Sequence, residues 1–108
     1  MYLNRDRLNK LRKTKDVRVE DWDCEVHIKQ MSIQQQLDIE AANKEKADGS
    51  EVIYLTLLYC CMDDDGNPLF GNKDDIKNLP SNGVVELFKH CLELNGIGEH
   101  ELDKRAKN

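Results

Sequence analysis

Aromatic residues are scarce in this chain. They make up 6% of its 108 residues, and one of them is the single tryptophan. With 39% hydrophobic residues in all, little apolar surface is left to spare. That favours one layer of helices over another rather than a large β-sandwich. The longest apolar run is about eleven residues, where a membrane-spanning helix needs about 20. The amino end is charged and carries no apolar block, so no secretory signal is read there. A phosphate-binding glycine loop is also missing; Gly96 and Gly98 belong to a helix ending. Basic charge is not in excess, since the net charge is −5, which opposes general nucleic-acid affinity. The four cysteines, Cys24, Cys60, Cys61 and Cys91, make a poor disulfide framework because two are neighbours in an apolar run. A reduced, cytoplasmic setting is the expectation.

What is present is unevenly placed. The first nineteen residues hold seven Lys/Arg and two Asp/Glu, a charge of +5 against −5 for the whole chain, so the remainder carries −10. Residues 1–16 read as a basic arm, weakly amphipathic through Leu3, Leu8 and Leu11. Residues 17–108 read as one domain.

The chain is organised around Val52 to Phe70. Its first half is apolar nearly all round, the mark of a buried helix. Val52, Leu55, Tyr59 and Met62 form one stripe, and Ile53, Leu57, Cys60 and Cys61 a second. A strand is the rival reading, because Val, Ile, Thr and Tyr favour sheets. The length of the run and the lack of a turn residue inside it favour a helix over 51–62, with Ser50 as N-cap. Asp63-Asp64-Asp65-Gly66-Asn67-Pro68 then makes a tight acidic turn, and Leu69 and Phe70 return to the core.

Around this centre, Val17 to Val19 and Glu25 to Met31 alternate as a two-stranded ribbon at about 17–31, with Val26 and Ile28 inward. Ser32 and Gln35 have capping-box spacing before a helix over 33–47, with Ile33 and Leu37 facing the core. Asn72 and Asp75 open a short helix over 73–79. A helix over 82–95 places Val84, Leu87, Phe88, Cys91 and Leu92 on one stripe, and Gly96 with Ile97 closes it. A last helix is read at 99–106. The fold class is mainly α, of the α+β kind: a compact helical domain with a small β-ribbon near its amino end. The expected core also includes Val52, Leu55, Leu58, Tyr59, Leu69, Phe70 and Leu79.

Chemistry at these residues is thin. Cys24 and His27 have zinc-ligand spacing, but no second pair completes a set, and adjacent Cys60 and Cys61 diverge by about 100° on a helix. With Gly66 at the sixth place of a calcium loop, Cys61 and Asn72 fall where oxygen ligands belong, so no calcium site is read. Cys91 beside His90 lacks an orienting third group, and an inert buried thiol is the default. No catalytic residue, cofactor or metal is assigned. Trp22 and Tyr54 are the candidate partner-binding anchors, because large aromatics are enriched at binding hot spots.

Four pieces together carry a family likeness: Val17-Arg18-Val19-Glu20-Asp21-Trp22-Asp23; Glu25-Val26-His27-Ile28-Lys29-Gln30-Met31; the apolar run into Asp63-Asp64-Asp65-Gly66-Asn67-Pro68-Leu69-Phe70; and Leu94-Asn95-Gly96-Ile97-Gly98. In order and spacing the chain resembles the tail assembly chaperones of long-tailed bacteriophages over about residues 5–107. It departs from them at Glu20, where a proline is common, at Lys29, where an arginine is common, and at Met31, where a leucine is common. The resemblance implies non-catalytic work: binding the hydrophobic tape-measure protein while the tail is built, and absence from the mature virion. It also implies self-association, and recruitment of the major tail protein through a frameshifted longer form. No membrane partner is implied. The alternative expectation is a small phage or prophage regulator that binds nucleic acid through the basic arm.

Overall fold

The alternating residues near the amino end build the sheet. A computed structural model describes residues 2–8 and 10–96. Strand β1 (Thr14–Val19) pairs antiparallel with β2 (Cys24–Lys29), setting Val17 opposite Val26 and Val19 opposite Cys24. A 3-10 turn over Glu20–Trp22 joins them and closes on Asp23, whose φ of 50° is left-handed. Period-two alternation sends Val17, Val19, Val26 and Ile28 inward, where all four are buried. Asp16, Arg18, Glu25, His27 and Lys29 fall on the other face.

The sheet has three strands, not the two expected. Strand β3 (Cys61–Met62) pairs with β2 and sets Cys61 opposite Ile28. Ile28 and Cys61 are both buried, and an unpaired β2 edge there would leave backbone donors and acceptors without partners. The apolar run therefore leaves its helix two residues early. The Cys61 N–H still bonds to Leu57 O, but its ψ is already 133°. Asp63 shapes the turn that follows: its carboxylate accepts from Asp65 N at 2.9 Å and Asn67 N at 3.0 Å. Gly66 supplies the left-handed position with φ 84°.

The helices are α1 (Arg5–Leu8), α2 (Ile33–Lys46), α3 (Ser50–Cys60), α4 (Lys73–Lys77) and α5 (Ser81–Leu94). The fold is thus α+β. Both expected capping boxes form, Ser32 with Gln35 and Asn72 with Asp75. The start of α3 differs from expectation. Gly49 holds the cap position, and Asp48 accepts from the Ser50 N–H at 3.0 Å and from its hydroxyl at 2.7 Å. Helix α5 ends with Gly96 at φ 77°. Ile97 and the helix expected at 99–106 lie outside the described residues.

The core lies between the inner sheet face and the helices. It holds Val17, Val19, Val26, Ile28, Leu57, Cys60, Cys61, Phe70, Ile76, Leu87 and Cys91. Expected core residues Ile33 and Leu37 are instead exposed, at 74% and 50%, and Leu69 is exposed as well. Val52, Leu55, Leu58, Tyr59, Leu79, Val84 and Phe88 pack against the core while staying partly open to solvent.

Candidate protein-binding surface

Helix α2 is inside out relative to its composition. The stripe it turns inward is Gln35, Gln36, Ile39, Ala42 and Asn43, of which only Ile39 is fully buried and the others are half-buried. Its bulkiest apolar side chains, Ile33 and Leu37, point to solvent. The cap contributes to this rotation. Gln35 reaches back to the Ser32 N–H at 3.0 Å while Ser32 Oγ accepts from Gln35 N at 3.1 Å, which sets Gln35 on the inner side.

Helix α3 folds back on α2 after a short link, a helical hairpin. Of the run's two apolar stripes, the one through Ile53, Leu57, Cys60 and Cys61 buries its last three members and leaves Ile53 half-buried. The stripe through Val52, Leu55, Tyr59 and Met62 is only half-buried. The hairpin therefore presents the exposed Ile33 and Leu37 on α2 and an apolar strip on α3 that its own domain covers only in part, an arrangement associated with partner surfaces.

Glu51 fixes one edge of this hairpin. Its carboxylate is buried, bonds to Lys73 Nζ and lies 3.3 Å from Lys46 Nζ. The Lys73 ammonium, aided by Lys46, holds the Glu51 carboxyl below the usual range despite burial. Beside it, Lys77 Nζ stands 5.7 Å over the Tyr54 ring. Tyr54 is half-buried.

Trp22, the other expected anchor, belongs to a different seam. Its indole lies on Gly83 of α5, so close that a Cβ there would sit 2.1 Å from Nε1. Nε1 is buried with no hydrogen-bond partner among the described residues. The Glu86 carboxylate accepts from Glu20 N at 2.9 Å and Asp21 N at 3.3 Å, pinning the turn to α5. Those backbone donors hold the Glu86 carboxyl below its ordinary value. Trp22 and Tyr54 thus have different packing partners. The residues that hold the ribbon to α5 and α3 have little to mark them in the sequence. Asn95 accepts from Met31 N at 2.8 Å and donates to Cys91 O at 2.7 Å and Cys60 Sγ at 3.6 Å. Gln30 Nε2 donates to Leu94 O at 3.0 Å.

The thiols of Cys60, Cys61 and Cys91 are buried together. Contact with Cys91 and burial push the Cys60 thiol far up. A bond to Cys60 pulls Cys91 down, but Cys61 and burial outweigh it and leave that thiol high as well. Both stay protonated, so neither is poised as a nucleophile or metal ligand. Cys24 is exposed and has the opposite strand parity from His27.

His27 is held by Asp16 through Nδ1, and its Nε2 lies 3.3 Å from Asp64 Oδ1. A neutral imidazole has a single N–H, so both contacts are served only by the imidazolium. The Asp16 hydrogen bond, then its charge, raise the His27 pKa. A raised folded value means the contribution to stability is complete below the unfolded pKa of about 6.5 and fades as pH rises through the folded one. A titration followed by NMR should place His27 above a free histidine, and Asp16→Asn should bring it most of the way back, with Asp64 holding the remainder. An unshifted His27 in the parent protein would refute the bridge.

No helix among the described residues is long and apolar enough to cross a membrane. Fold and surface together describe an α+β domain in which α2 turns Ile33 and Leu37 to solvent and α3 keeps one apolar strip half-open. Set against models of protein families, curated proteins and solved structures, the chain matches none of them.

Proposed function

We propose that the protein is a binding module for an apolar helical client, and that it acts as a tail assembly chaperone of a long-tailed phage or prophage. The observation that carries this reading is the inverted helix α2, with Ile33 and Leu37 outside while glutamines and an asparagine turn inward. The half-buried Val52, Leu55 and Tyr59 strip lies on the partner helix of the same hairpin. A long apolar length-ruler protein aggregates unless its faces are covered, and a helix-in-groove contact on this hairpin supplies such cover. The acidic body then keeps the assembly soluble. On this reading the protein works in the host cytoplasm during tail morphogenesis, binds the tape-measure protein, self-associates along it, and is left out of the virion. A frameshifted longer form would engage the major tail protein.

Co-expression with the tape-measure protein tests the proposal. The client should become soluble and co-purify with the chain at moderate salt. Ile33→Glu and Leu37→Glu should abolish co-purification with little change in thermal stability, because surface substitutions away from packing usually fall within about 0.5 kcal/mol. A client that stays insoluble beside soluble wild-type protein would overturn the reading.

A further inference from the structure

The basic arm has no seat on its own domain. Tyr2, Leu3, Leu8 and Leu11 are all at least half-exposed. Among the described residues the side chains of Arg5, Lys10 and Arg12 form no ion pair. The arm leads into β1, one edge of the sheet, whereas α3 leads into β3, the opposite edge. Extended as a helix, the arm would set Leu8 and Leu11 on one face, with Lys10 to one side and Arg12 to the other. The outer face of α2 has the same plan with the opposite sign. Ile33, Leu37 and Ala41 follow at intervals of four and are all exposed. Glu40 flanks that stripe on one side and Glu45 on the other. Neither is in an ion pair among the described residues, and Asp38 accepts only from Gln34 Nε2 at 3.0 Å. Against these three carboxylates stands Lys44, since Lys46 is taken up by Glu51 at 3.3 Å.

We infer that the arm of one chain lies on the α2 face of a second copy, with Leu8 and Leu11 against Ile33 and Leu37 and with Lys10 and Arg12 meeting Glu40 and Glu45. This rests on the client-binding reading above and names a second occupant of that surface. Arm and face are different patches, so the contact is heterologous and joins copies head to tail. Exposed ion pairs contribute little each. Apolar burial therefore supplies most of the affinity, and the flanking charges set how the arm is laid and which surfaces reject it. The contact belongs to the client-free state. The arm covers Ile33 and Leu37 of a neighbouring copy until a client with a longer apolar face displaces it. Nucleic acid would also suit the charge of the arm, but phosphates leave Leu3, Leu8 and Leu11 uncovered.

The test is sedimentation of the full chain after nuclease treatment. At low salt its average mass should rise with concentration to at least that of two copies, and added salt should lower it by screening the flanking charges. An arm variant, Leu8→Glu with Leu11→Glu, and a face variant, Leu37→Glu, should each stay single and melt as the parent does, because all three positions are exposed. Mixed in equal amounts, the two should form a one-to-one pair, since one keeps the face and the other keeps the arm. Glu40→Lys with Glu45→Lys should weaken association about tenfold. A parent chain still single at about 0.5 mM, a concentration that reveals a Kd of about 1 mM, overturns the inference. So does association that nuclease abolishes, or a mixture in which the variants do not pair. Each of these outcomes leaves the client reading intact if the tape-measure protein still co-purifies through Ile33 and Leu37. Loss of that co-purification while copies still join through the arm overturns the client reading instead.

Discussion

Gly83→Ala is expected to destabilise the protein by about 1–3 kcal/mol, the usual range for forcing extra volume into a packed site. It should also shift the emission of the single tryptophan to the red. Elsewhere in a helix the same change would stabilise by about 0.5–1 kcal/mol, because alanine loses less backbone freedom than glycine. The clash decides the sign here. The new methyl would lie 2.1 Å from Trp22 Nε1, 2.3 Å from Cε2 and 2.7 Å from Cδ1. The indole cannot slide along the helix, because Glu86 holds the backbone of Glu20 and Asp21 next to it. It must swing outward, uncovering the seam between the 3-10 turn and α5. The check is a double-mutant cycle. In a Trp22→Ala background the Gly83 substitution should become neutral or stabilising. An unshifted emission spectrum together with an unchanged melt in the single variant would show that the ring does not rest on Gly83.

That seam marks the limit of what local sequence conveys. The capping boxes at Ser32 and Asn72 were legible because every participant lies within three residues of the cap. The ribbon was legible because period two is a local pattern. The third strand was not. Cys61 and Met62 continue an unbroken apolar run, and only the distant edge of β2 makes pairing better than another helical turn. Trp22 stands out in the sequence as the single tryptophan, but the residue it packs on is a glycine sixty-one positions away, and a missing side chain leaves no hydrophobic signal. Helix α2 misled for the opposite reason. Ile33 and Leu37 are the side chains any pattern would turn inward, and the structure turns them out. Local and global preference conflict there, and such conflicts cluster where a sequence serves a partner as well as its own fold.

Leu57→Ala separates the two apolar faces of the central helix. Leu57 is fully buried, in one cluster with Ile28, Cys60, Cys61 and Leu87. Removing its branched end is expected to cost about 2–5 kcal/mol, the transfer free energy of the lost carbons plus the cavity they leave. A domain of this size holds about 5–15 kcal/mol in all, so the variant should melt well below the parent. Each kcal/mol corresponds to about 4–8 °C in the midpoint. Chemical denaturation should show a lower midpoint with an unchanged slope, because the folded state is the same shape. At temperatures where it is still folded, Leu57→Ala should co-purify with the apolar client as the parent does. Leu37→Glu should do the reverse, melting normally and binding nothing. That crossed pattern is what a hairpin must produce when Leu57 of α3 serves its own core and Leu37 of α2 serves a client. A Leu57→Ala protein as stable as the parent would mean that the stripe taken here as core is not the one that holds the domain together, and that the half-buried stripe through Val52, Leu55 and Tyr59 is.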